Sequence, residues 1–151
     1  MEIPFWEDSY KNDNVSTFGV EPNATIIEFE HLYESTWRIL DIGCGDGKNS
    51  LYFSSRGFSE VDAFDLSENA IAKLHRLAER HNATINAWVQ DLRQFYFEKP
   101  YDLVVSFGTL HFVEKSDWHI LQFKSYTFED EHPGVPRHFH ASNKIVAQRV
   151  K

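Results

Sequence analysis

Short apolar runs alternating with one helical stripe set the frame of this chain. Ile39, Leu40 and Ile42 close a first strand, Trp37 to Ile42, of the kind buried in a parallel sheet. Val61 to Asp65, Ile85 to Val89 and Leu103 to Phe107 repeat the pattern. Between the second and third runs, Ala70, Ile71, Leu74, Leu77 and Ala78 recur at helical spacing. Ser67 stands where a cap is needed, and Asn82 can end the helix after His81. Asn23 to Glu34 also has helical spacing, through Ile26, Ile27, Glu30 and Tyr33, with Asn23 as its cap. Lys48 to Arg56 forms a short helix stopped by Gly57. Strands alternating with helices predict an α/β fold with a parallel sheet.

The two ends of the chain read differently. Met1 to Val20 mixes Phe5, Trp6, Tyr10 and Phe18 with polar residues and has no clear period. It is mostly loop with one helical turn, and its aromatics either plug the core or cover a ligand. Past Val113, Ile120 to Phe128 and His138 to Val150 alternate around a turn holding Pro133, Gly134 and Pro136. That pattern predicts an antiparallel hairpin.

Length and composition narrow the class. At 151 residues one domain is expected, and 42% hydrophobic residues suffice for a core. It divides into residues 1–22, a 23–116 core and a 117–151 hairpin. The net charge of -8 disfavours nonspecific binding to nucleic acid or an anionic membrane surface. Cys44 is the only cysteine, which excludes an intrachain disulfide and a cysteine metal cluster. His138 and His140 share one strand face, but no third ligand has fixed spacing, so no metal is expected. No signal peptide or membrane-spanning run is visible, and a cytoplasmic location is expected.

The candidate chemistry lies where the first strand ends. Asp41 to Ser50 reads DIGCGDGKNS, with Gly43, Gly45 and Gly47 at alternate positions. Such glycines allow positive φ and close backbone approach to a ligand. The spacing is neither the dinucleotide G-x-G-x-x-G nor a phosphate loop, because Asn49 stands where a magnesium-binding Ser or Thr would be. The alternative is a tight strand-to-helix turn with no ligand. Asp65 ends the second strand, where a carboxylate suits a ribose, and Asp91 follows the third.

These motifs, in this order, resemble the class I S-adenosylmethionine (SAM)-dependent methyltransferases. The N-terminal F-W-x-x-x-Y and Glu21-Pro22-Asn23 are similar to the lid of the small tellurite-resistance-type and thiopurine-type members. The resemblance implies a Rossmann-like sheet of order 3-2-1-4 plus a C-terminal antiparallel hairpin, with SAM as cofactor and S-adenosylhomocysteine as product. It implies methyl transfer to a small-molecule acceptor. The cofactor residues it implies are Trp6, Tyr10, Asp41, Gly43, Cys44, Gly45, Gly47, Asn49, Asp65, Leu66, Asp91, Leu92 and Ser106. His111, His132, His138, His140 and Arg149 are the implied acceptor-pocket residues, and no catalytic nucleophile is expected. Asp102 is expected to pair near the glycine loop.

The family also expects a fifth parallel strand and flanking helices after Val113. Only 38 residues remain there, so the chain is short of the family pattern by roughly 30 residues or more. The fourth strand would then expose an edge unless the hairpin slides against it or a second copy covers it. A homodimer through that edge, or through hairpin exchange, is expected. A SAM-binding protein impaired in catalysis and a nucleotide-dependent oxidoreductase are the alternative functions.

Overall fold

The computed structural model of the chain describes residues 5–109, 118–130 and 138–149. Its centre is a six-stranded sheet of order β3-β2-β1-β4-β6-β5. The strands are β1 (Arg38–Ile42), β2 (Glu60–Asp65), β3 (Asn86–Val89), β4 (Leu103–Phe107), β5 (Trp118–Asp130) and β6 (His138–Arg149). The first four pair in parallel, and β6 pairs antiparallel with both β4 and β5. The helices are α1 (Phe5–Tyr10), α2 (Ala24–Glu28), α3 (Lys48–Ser55) and α4 (Glu68–His81).

Strand alternation divides the core between the two faces. Ile39, Val61, Leu103 and Val105 pack with Ile26 of α2 and Phe53 of α3. Leu40, Ile42, Phe64 and Val104 point the other way and meet Tyr101, with Trp88, Leu92 and Phe95 beside them. Ile71 and Leu74 of α4 close over Ala63 and Cys44. The α4 boundaries match expectation: the Ser67 hydroxyl accepts from the Ala70 amide at 3.1 Å, and Asn82 turns left-handed at φ 51°.

Three expectations are corrected. The helix foreseen over Asn23 to Glu34 stops at Glu28, and a separate 3-10 turn covers Glu30–Leu32. Asn23 stands at the N-cap position, but its side chain makes no cap hydrogen bond; its Nδ2 donates to Asn49 Oδ1 at 3.3 Å. Asp102 does not reach the glycine loop. It accepts from the Arg38 amide at 2.8 Å, at the opposite end of β1. Of the two ways foreseen to cover the β4 edge, the hairpin is the one observed: β6 lies along all of it from Leu103↔Gln148 to Phe107↔Lys144. Between β4 and β5 the described residues contain no further parallel strand.

Candidate functional site

The glycine loop is tied down from two sides. The Gly43 and Cys44 amides both donate to the Phe64 carbonyl, at 2.9 and 3.0 Å. The Gly45 amide donates to Asp65 Oδ2 at 2.9 Å, and the Ser67 amide donates to Asp65 Oδ1 at 2.9 Å. One carboxylate therefore joins the tips of β1 and β2. Next along the sheet edge, the Gln90 amide donates to the Asp65 carbonyl at 2.9 Å, bringing Asp91 alongside. Ser106 pairs with Ile42 across β1 and β4. These residues line the carboxyl ends of β3, β2, β1 and β4, beside the point where strand order reverses, which is where open α/β sheets bind ligands.

The loop approaches other groups closely. A Cβ on Gly43 would strike the Thr109 side chain, and one on Gly45 would stand 2.9 Å from the Tyr10 hydroxyl. Tyr10 is buried and Trp6 is exposed. Burial, with Asp65 and Asp46 nearby, pushes the Tyr10 hydroxyl above its ordinary pKa. Tyr10 is thus a neutral donor at physiological pH and not a base.

Asp41 faces α3. Its Oδ2 accepts from the Ser50 hydroxyl at 2.7 Å. Burial pushes its carboxyl up to about 7, against the Ser50 hydrogen bond and with Asp65 adding to the rise. The native chain therefore holds this proton more tightly than the unfolded chain does. That contribution is greatest below the unfolded carboxylate pKa and is lost as pH rises towards 7. Wild type should lose roughly 2 kcal/mol between pH 5 and 7 relative to Asp41→Asn. Urea titrations of both proteins across that range check this, and parallel pH profiles would refute it.

The other expected residues divide. Cys44 is buried, and burial pushes its thiol pKa well up, so it packs as a small apolar group. The Asn49 amide oxygen is taken by Asn23, which gives it a structural use. Leu66 is 65% exposed just beyond Asp65, while Leu92 packs against the β1 and β2 core. His111 and His132 lie outside the described residues. His138 and His140 extend beyond the end of β4 that faces the site, whereas Arg149 lies at the far end of β6, past Leu103↔Gln148. The register thus separates Arg149 from the two histidines.

Two features escape a reading of the sequence. Thr109 lies within the segment that follows β4, but only its approach to Gly43 assigns it to the loop. Asp46 pairs with Lys73 at 3.0 Å, and both side chains are buried. An apolar helical stripe does not announce a buried lysine. A cavity of about 1040 Å³ lies elsewhere, lined by Asp62, Trp88, Phe95 and Tyr101 among others. Its carboxylate is already engaged by Tyr101, Lys99 and Asn86 at 2.6, 2.8 and 3.0 Å. That donor set makes it a structural network.

The loop offers groups that a nucleoside could use. Each Asp65 oxygen keeps a lone pair beyond its amide contact, so the pair can still accept from vicinal hydroxyls. The Ser106 hydroxyl is buried without a partner at the switch point. Leu66 offers an apolar surface beside Asp65.

Comparison with known proteins places this geometry. A family model described as a methyltransferase domain matches residues 39–124. A probable S-adenosyl-L-methionine-dependent methyltransferase, TehB of Haemophilus influenzae, is 36% identical over 81 residues, covering 54% of this chain and 28% of that protein. The chain therefore spans little more than a quarter of that relative's length. The crystal structure of TehB from Haemophilus influenzae superposes with a TM-score of 0.66 at 19% identity, over 96% of this chain and 67% of that one. Magnesium protoporphyrin IX methyltransferase from Synechocystis PCC 6803, solved with bound SAM, superposes at 0.56 and 13% identity, over 99% and 86%.

Proposed function

This chain belongs to the methyltransferase-domain family, and from that premise we propose that it transfers a methyl group from SAM to a small acceptor. The observation that carries the reading is the Asp65 carboxylate, bound to the Gly45 amide inside the glycine loop at the switch point. SAM supplies a methyl group on a cationic sulfur, and transfer forms the carbon–acceptor bond as the carbon–sulfur bond breaks, its electron pair returning to sulfur.

The chain's own residues bind, align and exclude water. Asp65 accepts from the ribose hydroxyls, and Asp91 accepts from the adenine amino group. Leu66 and Leu92 flank the base. Gly43 and Gly45 make room for the methionyl portion, with Asp41 and Cys44 beneath them and Ser106 opposite, while Gly47 lets the loop pack closely on Leu74 of α4. Tyr10 and Trp6 cover the sulfonium with aromatic surface. Asn49 acts indirectly, by holding the start of α2. His138 and His140, beyond the end of β4 that faces the site, belong to the acceptor side. The segment Ser106-Phe107-Gly108-Thr109 at the end of β4 carries no Asn-Pro-Pro-Tyr string, so a nucleobase amine is disfavoured as acceptor. The resemblance to the tellurite-resistance-type members supports a soft or metalloid acceptor. Among the described residues, no helix is long and apolar enough to cross a membrane.

Calorimetric titration with SAM and S-adenosylhomocysteine tests the reading. Micromolar binding of both, with none of NADH, is the expected result. No binding by a cooperatively folded chain would overturn it.

A further inference from the structure

Lys73 has no part in the contacts to SAM set out above. It lies on the buried side of α4 and is 1% exposed. Lysine is almost never buried so fully unless paired. Its ammonium has three N–H donors and three acceptors: Asp46 Oδ2 at 3.0 Å, the Val15 carbonyl at 2.5 Å and the Ser9 carbonyl at 3.4 Å. It also lies 6.0 Å from the centroid of the Tyr10 ring. The Thr17 amide donates to the same Asp46 oxygen at 3.4 Å. A single buried ion pair thus gathers the end of α1, the loop behind it and the glycine loop onto α4.

From this convergence we infer that Lys73 latches residues 9–17 over the glycine loop, so that cofactor release requires the latch to open. The inference rests on the SAM reading of the site. Lifting the segment strips two of the three acceptors from a desolvated ammonium, which is costly. It also withdraws Tyr10, whose hydroxyl stands over Gly45. Other contacts of the segment are weaker holds. Asp13 with Arg76 at 2.7 Å and Glu7 with Asn69 at 2.9 Å lie near the surface, where such contacts contribute little. Lys73 is therefore a positioning residue, acting through the segment it holds.

The test compares wild type with Lys73→Met, Lys73→Arg and Thr17→Pro. Hydrogen exchange of residues 5–18 is followed alongside the stopped-flow rate of S-adenosylhomocysteine release. Lys73→Met should raise exchange about tenfold or more in that segment alone. It should speed release by a similar factor, and Lys73→Arg should recover most of both. Thr17→Pro removes the amide that donates to Asp46 and leaves the ion pair itself in place, so it tests the hold on the segment if Lys73→Met does not fold. Unchanged exchange in a folded variant would overturn the latch. Faster exchange with an unchanged release rate would overturn its control of the cofactor. If wild type binds no S-adenosylhomocysteine, the SAM reading and the gating fall together, and the exchange data still separate that outcome from a failed latch.

Discussion

Asp65→Ala should weaken S-adenosylhomocysteine binding by about 30- to 100-fold, equivalent to about 2–3 kcal/mol. The expected loss has two sources. The carboxylate is the acceptor proposed for the ribose hydroxyls, and hydrogen bonds to a charged group contribute more than neutral ones. It also accepts from the Gly45 and Ser67 amides at 2.9 Å each. Removing it frees the glycine loop from β2 before any ligand arrives. Asp65→Asn separates the two sources. One amide oxygen still accepts from Ser67, but the amide NH2 then opposes the Gly45 N–H or the ribose. Its affinity should fall between wild type and Asp65→Ala. Calorimetry on folded variants decides, and unchanged affinity in Asp65→Ala would remove Asp65 from the site.

What can be read from residue order depends on how local the cause is. Helix α4 is legible end to end, because its cap, stripe and stop all lie within it. The glycine loop and Asp65 are legible because strand-turn-helix chemistry puts them at one sheet edge. The stop of α2 at Glu28 has no such local signal, and the use of Asn23 is hidden too, because its side chain is directed to Asn49, 26 residues away. Lys73 is hidden for the same reason: two of its acceptors are backbone carbonyls 58 and 64 residues distant. Alternation shows that two final strands exist, but not that β6 settles on β4. The end of β1 that Asp102 serves is equally hidden, because its hydrogen-bond partner is the Arg38 backbone amide, which carries no residue-type signal.

Gly47→Ala should destabilise the fold by about 2–5 kcal/mol, against a typical total of about 5–15 kcal/mol. Gly47 caps α3 at φ +87°, a conformation that costs a residue with a Cβ about 1–2 kcal/mol. The new Cβ would also run into the Leu74 side chain, which is fully buried in α4. Overpacking of that kind adds about 1–3 kcal/mol. Gly57 supplies the control. It has φ +89°, and a Cβ added there would meet nothing within 4 Å, so Gly57→Ala should show the backbone cost alone. The difference between the two variants isolates the contact with α4. Leu74→Ala should partly relieve Gly47→Ala, so the double variant should be more stable than the sum of the single losses by about 1–3 kcal/mol. Urea unfolding of the four variants against wild type measures this. Equal losses at Gly47 and Gly57, with additivity in the double variant, would mean that the loop does not set its distance to α4. In that case the packing that places Lys73 beside Asp46 would need a different explanation.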